Sequence, residues 1–482
     1  MPETDQNPVL YKDFVTKGLF GRRKIFASVD AITPGNVAEV VENAYITHLM
    51  NRGEIEYLWR YYKGDQPNRY RKRELRPELS KTVIENRANE IVSFKTGYLV
   101  GKPIRYVASD NNDSVSAAIN RLNESMRVVG KHTKDKQLIE WCMICGIGYR
   151  YITQNKDDRI RSPFNVYTLD PRNTFVIRRN DYSEEVIAAV NYVTDDQGDV
   201  TFTIYTENKV YTLLKGSGKP KKVSVNVFGA IPIIEYQNNN ARQGCFEIVI
   251  DLLNAISEFD SMRLEAVEGF VQSLLVLYNC QVEEGTTADT IRQAGMILLK
   301  SMNGEKADIK NLSDQLDQSQ NQTLKNDMYN AVLQIVGVPS QGDGNTGDSS
   351  NNGAIVLKNG WQGAETRAEA FEAMYQQPEM EMLNVVSIIS GNRKAGFVFD
   401  PADVEVAFTR RNYENILSKS QTLVTMLAQD KIHPKSAFEA SGLFIDTEEA
   451  YRLGMEWYNQ VKKEQEKLMQ KQQTEVKPDV EE

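Results

Sequence analysis

Val338-Pro-Ser-Gln-Gly-Asp-Gly-Asn-Thr-Gly-Asp-Ser-Ser-Asn-Asn-Gly353 is polar, studded with glycine and free of Lys and Arg. Upstream of it, Leu324, Met328, Val332, Leu333 and Val336 recur at helical spacing and stop at Gly337 and Pro339. Glycine followed by proline marks a helix C-terminus. Downstream, a second helical pattern starts at once. A loop this long, without secondary structure of its own and set between two long helices, is either functional or disordered. Two chemistries are removed by inspection. Asp343-Gly-Asn-Thr-Gly-Asp348 opens like a calcium loop but lacks glycine at its sixth position and has Ala354 where the bidentate Glu belongs. No Gly-Lys-Ser/Thr follows to cradle a phosphate.

Outward on the N-terminal side, Ser313 reads as the cap of the preceding helix. The first half of that helix (Asp314, Gln315, Asp317, Gln318, Ser319, Gln320, Asn321, Gln322) is polar on nearly every face, so it bridges through solvent or lines a wet space. Residues 280–312 read as a small unit: a short helix near Asp289 to Ala294, a strand at Met296 to Leu299, a turn at Asn303-Gly304 and a strand around Ile309. A lone two-stranded ribbon is marginal in water and presents open edges, so it needs a neighbour. Before it, Val249, Leu252, Leu253, Ile256, Phe259, Val267, Phe270, Val271 and Leu274 keep a helical period from Phe246 to about Leu277. At 1.5 Å per residue such a helix spans roughly 45 Å, more than one compact domain needs. On the C-terminal side, Ala354 to Ser390 reads as a long helix bent near Gly360 and Gly363 and kinked at Pro378. Phe397 to Phe399 and Val404 to Phe408 revert to strand and are expected to rejoin the sheet of the N-terminal half. Helices follow at Ile416 to Leu427, at Pro434 to Ala440 and from Thr447, and the Lys/Gln/Glu-rich stretch from Lys462 to Glu482 is expected to fray.

In the N-terminal half, Met1 to Pro34 is mixed, carries the basic patch Lys17 to Lys24, and is expected to be ordered only in part. Helices are expected from Asn36 to near Gly53, from Ile55 to Tyr62, from Lys81 to Leu99, from Val115 to Arg127 and from Lys134 to Cys145. From Gly148 to Tyr236 the period changes to two. The runs start at Tyr149, Phe164, Thr174, Val186, Val200, Val210, Val223 and Ile233, and turn signals such as Asp195-Asp-Gln-Gly198 separate them. This is an antiparallel meander inside a helical protein, which makes the class α+β.

At 482 residues, 41% hydrophobic and 26% charged, the chain has room for two or three domains with cores of their own. A net charge of -9 argues against a broad basic face that grips nucleic acid. Cys142, Cys145, Cys245 and Cys280 are too sparse for a disulfide framework and are expected as reduced thiols, consistent with cytoplasmic synthesis. No apolar run reaches the about 18 residues of a membrane span, and acids stand where a signal peptide needs basic residues. No membrane partner is expected. Catalytic motifs are missing too. His48, His132 and His433 lie on separate elements, and Cys142-Met-Ile-Cys145 is a single C-x-x-C in an apolar helix, read as core thiols. Asp195-Asp196 and Glu283-Glu284 read as solvated turn pairs rather than a nuclease's metal-binding carboxylates. Arg69, Arg71, Lys72, Arg73 and Arg76 could meet phosphate or an acidic partner, but Tyr70 is the only aromatic among them and the cluster reads as a solvated loop. Neither enzymatic activity nor a cofactor or metal is expected.

Tyr61-Tyr-Lys-Gly-Asp-Gln-Pro67, Gly97-Tyr-Leu-Val-Gly-Lys-Pro103, Cys145-Gly-Ile-Gly-Tyr-Arg-Tyr151, Leu169-Asp-Pro-Arg-Asn-Thr-Phe175 and Ile231-Pro-Ile-Ile-Glu-Tyr236 precede the long helix in that order. Together they resemble the portal proteins of tailed double-stranded-DNA bacteriophages, specifically the group typical of long-tailed phages of Gram-positive bacteria. The resemblance runs from Glu54 to Glu456. It implies a homo-oligomeric ring of about twelve subunits at one capsid vertex of the virion, assembled in the host cytoplasm. Double-stranded DNA passes through such a ring. Its implied partners are the terminase large subunit, the head-tail connector protein, and the major capsid and scaffolding proteins. The implied fold has an arm at 1–35, a wing at 36–245, a stem helix at 246–279, a clip at 280–312, a second stem helix at 313–337 and a tunnel loop at 338–353. A kinked helix with return strands of the wing at 354–412, a crown at 413–461 and a flexible tail at 462–482 complete it. Gln341, Asp343, Asn345, Asp348, Ser350, Asn351 and Asn352 would then face DNA from the loop, and Asp314, Asp317, Gln318, Asn321 and Lys325 from the stem. Arg292, Lys300, Lys306 and Lys310 of the clip would meet terminase or connector. A capsid-associated structural protein without a channel is the alternative, but it gives no reason for helix, ribbon, helix, glycine loop and kinked helix in this order.

Overall fold

Val200, Phe202 and Ile204 are buried along β7 (Val200–Tyr205) while Thr201, Thr203 and Tyr205 stay partly exposed, the period of a strand covered on one face. The computed structural model describes residues 19–71, 81–109, 113–155, 162–271, 275–278, 280–281, 300–301, 308–311, 318–339, 360–393, 397–409, 416–429, 431–444 and 447–475. The chain divides into a first unit (Met1–Tyr62, Ala88–Ile248, Val336–Glu482) and a second (Lys63–Arg87, Val249–Ile335).

In the first unit, β7 belongs to a six-stranded sheet. Its order is β1 (Phe26–Ala27), β5 (Thr174–Arg179), β6 (Val186–Thr194), β7, β8 (Lys209–Leu214) and β9 (Lys222–Val225). β5 to β9 pair antiparallel, and β1 joins β5 in parallel. Helix α1 (Val37–Tyr62) buries Val37, Val41, Ala44 and Tyr45 in one core with Phe175, Val190, Tyr192, Phe202, Ile204 and Tyr211. Each large side chain so buried contributes about 1.5–3 kcal/mol. That gain explains why α1 runs unbroken through Gly53, where a stop was expected. A helical glycine costs only about 1 kcal/mol, while His48, Asn51, Glu54, Ile55 and Leu58 around it are all buried.

β10 (Ile233–Gln237), β3 (Ile147–Gln154) and β4 (Phe164–Leu169) form a separate antiparallel sheet with β3 in the middle. All the runs between Gly148 and Tyr236 are therefore strands, but they do not form one meander. The chain begins one sheet, builds the meander in another and returns to the first with β10. The cause lies in β3, where Ile147, Gly148, Tyr149 and Arg150 are buried in succession, so both of its faces need cover. Helices α4 (Lys131–Cys145) and α7 (Trp361–Gly391) pack on it. Gly148 permits the approach of α4: a Cβ there would stand 2.9 Å from Leu138 Cδ1 and 3.1 Å from Cys142 Sγ.

Covering β3 also buries Arg150, whose guanidinium pairs with Asp135 of α4 and lies 3.4 Å from Glu379 of α7. Lys131 Nζ lies 2.8 Å from both carboxylates, and the Tyr106 and Tyr236 hydroxyls each donate to Glu379 at 2.6 Å. Two cations balance two anions. Burial alone would raise the Glu379 pKa, but Lys131 and Arg150 reverse that and hold it at about 2.

Other expectations need correction. The arm's described residues begin at Leu19: β1 joins β5, and Arg22 pairs with Glu54 and Glu247, Arg23 with Glu54 and Lys24 with Glu184, while Lys17 lies outside the described residues. Helix α2 is Arg87–Val100 rather than Lys81 to Leu99, because side chains occupy the backbone before it. Asn68 takes the Val83 carbonyl, and the Val83 N–H goes to Ser261 Oγ. Helix α3 is Asp113–Val128. β15 (Val404–Ala407) pairs with β2 (Arg105–Ala108), a strand the sequence reading missed, and not with the meander. Residues 397–399 are not a strand; Ser390 and Ser387 donate to the Phe397 and Phe399 carbonyls. The last helices are Ile416–Leu427 (α8), Pro434–Ser441 (α9) and Thr447–Glu475 (α10), so helix continues past Lys462, where fraying was expected.

Candidate functional site

In the second unit, polar contacts join helices α5 (Ile250–Val271) and α6 (Gln318–Val336). Lys325 Nζ lies 2.9 Å from Asp260 Oδ2, and Arg263 Nη1 donates to Gln322 Oε1 at 2.9 Å. As one partner advances three residues the other retreats three, so the helices run antiparallel. The pairing continues beyond them. β11 (Leu275–Tyr278) faces β14 (Asp308–Asn311) with Leu275 opposite Asn311 and Tyr278 opposite Asp308, and β12 (Cys280–Gln281) faces β13 (Lys300–Ser301). Helix pair and ribbon are thus successive parts of one antiparallel hairpin.

This corrects the long helix. α5 ends at Val271, about 33 Å from its start at 1.5 Å per residue, and Leu275-Val-Leu-Tyr278 is strand. A short apolar run bears either period, and its composition, with β-branched and aromatic residues, suits a strand. The strand around Ile309 pairs with Leu277; the expected partner, Met296 to Leu299, lies outside the described residues, as do the short helix near Asp289 and the Asn303-Gly304 turn.

Charges at the helix pair are mutually committed. Lys325 also reaches Glu85 at 3.2 Å, and Arg87 sits 4.1 Å over the Tyr329 ring while donating to its hydroxyl at 3.2 Å. Burial lowers the Lys325 pKa, but Asp260 and Glu85 more than reverse this and keep the ammonium charged. Burial also pushes Glu85 up, yet Asp260, Arg87 and Lys325 bring it below its ordinary value. Asp260 is raised by burial and, despite Lys325, further by Glu85, so the two carboxyls titrate as a pair. Asn68 donates to the Ser257 carbonyl and to Ser261 Oγ, each at 2.9 Å. Part of the basic cluster read as a solvated loop is bonded within this unit: Arg71 lies 3.7 Å from Glu258 and 3.8 Å from Glu265, and Arg69 donates to the Gly64 carbonyl. Lys72, Arg73 and Arg76 lie outside the described residues.

In the first unit, the chain passes from Val336 into Gly337, whose φ of +69° ends the helix as the sequence indicates. Arg367 lies across this glycine, with its Cδ 2.4 Å from where a Cβ would stand. Val338 and Pro339 follow. The next described residue, Gly360, has φ +77° and stands directly against Pro339, whose Cα is 3.9 Å from a Cβ built at 360. The segment between them leaves and returns at one point. α7 starts only at Trp361 and runs through Pro378.

Gln341, Asp343, Asn345, Asp348, Ser350, Asn351 and Asn352 lie outside the described residues, as do Asp314, Asp317, Arg292 and Lys306. Gln318 opens α6, Asn321 is partly exposed one turn on, and Lys325 is tied to Asp260 and Glu85. Lys300 stands in β13 opposite Gln281, and Lys310 in β14 opposite Val276. The sequence reading missed Asp260, Arg263, Glu85 and Arg87. A usable signal was present: Asp260 and Arg263 on one helix, and Gln322 and Lys325 on the other, share the same three-residue step.

The remaining motifs do structural work. Cys142, Cys145 and Cys245 are free and buried, and burial pushes the last two up to about 12. His48 Nε2 lies 3.1 Å from the Arg172 carbonyl, and burial takes its pKa down to about 4. Asp195 accepts from the backbone N–H groups of Gln197 and Asp199 in its own turn. Among the described residues there is no group of three or more His, Cys, Asp or Glu placed to hold a metal ion, and no helix long and apolar enough to cross a membrane.

A family model described as "Phage portal protein, SPP1 Gp6-like" matches residues 45–477. No curated protein matches the chain. Among solved structures, a chain of the "Neck of empty GTA particle computed with C6 symmetry" is similar at 12% identity, over 74% of this chain and 90% of that one, with a TM-score of 0.43.

Proposed function

Because the chain belongs to the phage portal protein family of SPP1 Gp6-like type, we propose that its copies close into a ring of about twelve subunits at the portal vertex of a phage head. The genome is packaged through this ring by the terminase motor, retained, and released into the tail. The single observation that carries this reading is the antiparallel pairing that runs from Asp260 and Lys325 on the two helices to Gln281 and Lys300 in the ribbon. In the ring, α5 and α6 serve as the stem, 280–312 as the clip and 413–461 as the crown. The open-edged ribbon gains its neighbour from the next subunit, through a heterologous contact that closes by rotation.

The segment 338–353 reaches the channel in this reading. Its Asp343 and Asp348 give DNA a hydrated, like-charged wall, whereas a lining of fixed Arg and Lys would hold phosphates through counterion release. Asp314, Asp317, Gln318 and Asn321 extend that wall along the stem. Arg292, Lys300, Lys306 and Lys310 of the clip meet the acidic surface of terminase or connector.

Two experiments test this. Images of the purified protein along its symmetry axis are expected to show rings with a central hole; monomers or open sheets would favour a channel-less capsid-associated protein. Deleting Gly342 to Ser350 is expected to leave the ring intact and lower DNA packaging. Normal packaging by that deletion removes the loop from the channel.

A further inference from the structure

Phe94 and Tyr98, one helical turn apart on α2, stack with ring centroids 5.8 Å apart and planes 9° from parallel. Both rings line a cavity of about 380 Å³ at the foot of the loop, together with Met143, Phe371 and Met374 and with Lys95, Cys245 and Arg367. All of its lining residues belong to the first unit. The volume lies within the range of sites that take small organic ligands, roughly 300–1,000 Å³. The lining contains two cationic side chains, three amides (Asn238, Asn239, Asn240) and no carboxylate.

Among the described residues no carboxylate pairs with Lys95. Burial depresses its pKa; the Cys245 thiol acts the other way, and Arg367 lowers it further. Cys245 cannot serve as the counter-charge, because its own burial pushes it up to about 12 and leaves it neutral at physiological pH. A partly buried ammonium without an anion loses part of its hydration, so an anion delivered to this point offsets some of that loss.

We propose that this cavity binds a small amphiphile with a flat aromatic body and a single anionic head, the body against Phe94 and Tyr98 and the head on Lys95. The two rings take the apolar area and the ammonium sets the sign of the charge. The site does not depend on the portal reading. It also adjoins Val336, Gly337 and Ala364, so an occupant would brace the point where the 340–359 segment departs and returns.

The test titrates the full-length protein with anilinonaphthalene sulfonate, read by fluorescence, and with phenylnaphthylamine as an uncharged analogue. The expected result is one saturable sulfonate site per chain, weakened about 10- to 100-fold by Lys95→Met, as loss of a charged hydrogen-bond partner implies. Lys95→Arg should keep most of the affinity, and the uncharged analogue should bind weakly and equally to wild type and Lys95→Met. No saturable site, unchanged sulfonate affinity in Lys95→Met, or an uncharged analogue that binds as tightly as the sulfonate would each overturn the proposal. If Lys95→Met does not fold, the comparison of the two probes on wild type and Lys95→Arg decides alone.

Discussion

Arg22 Nη2 lies 3.0 Å from Glu247 Oε2 with both side chains shut away from water, and the same guanidinium lies 3.0 Å from Glu54 through Nε. One arginine near the N-terminus therefore holds α1 and the turn from which α5 departs. Removing one partner of a buried pair leaves an uncompensated charge and costs about 3–5 kcal/mol. Arg22→Ala should show this loss in denaturant unfolding, and Arg22→Lys should lose less. A change under about 1 kcal/mol, the range of exposed pairs, would mean that water reaches the site.

Acid should unfold the first unit through two glutamates. Burial pushes Glu235 up, but Arg242 and Arg178 override it and hold the group at about 2, as Lys131 and Arg150 do for Glu379, against an ordinary value of 4.5. Folding favours the deprotonated forms, so their contribution is complete above pH 4.5 and fades as pH falls toward 2. Denaturant midpoints across that window should drop steeply in the wild type and less steeply in Glu379→Gln, which should also be less stable at neutral pH. Equal slopes would assign acid unfolding to other groups.

Lys325→Met removes the ammonium between Glu85 and Asp260, leaving Arg87 to pair with Glu85 and no ammonium on Asp260, and should destabilise the second unit by about 1–3 kcal/mol. The Asp260 pKa is already raised, so lowering pH protonates it and should shrink the penalty. Adding Asp260→Asn should recover much of the loss at neutral pH. Melting of the single and double variants at two pH values separates this relief from simple loss of packing.

The three buried thiols should resist modification. In a Cys280→Ser background, Cys142, Cys145 and Cys245 should react with a disulfide reagent at least about 1,000-fold more slowly than a free thiol, at a rate set by opening of the fold. Prompt reaction of Cys142 or Cys145 would reopen a redox role for the C-x-x-C spacing.

The strands from β3 to β10 were legible because alternation and turn signals report local burial directly. Their division between two sheets was not, because β3 is buried on both sides and continuous burial carries no information about which neighbour covers it. Gly53 and Lys81 misled for opposite reasons. At Gly53 tertiary burial overrode a weak local preference; before Arg87 side-chain hydrogen bonds from Asn68 and Ser261 claimed backbone that periodicity assigned to helix. Leu275 to Tyr278 lay at the limit of what a four-residue run encodes. Of the candidate site, the end of α6 at Gly337 could be read from its residues, whereas the pairing of α5 with α6 depends on contacts about 60 residues apart in sequence, the separation that local patterns do not carry.

The meeting of Pro339 with Gly360 makes the twenty intervening positions a cassette. With its two ends fixed side by side, doubling its length adds only about 0.6 kcal/mol of closure entropy. Reporter peptides, cleavage sites or pairs of spectroscopic labels can be spliced there without re-engineering either flanking helix.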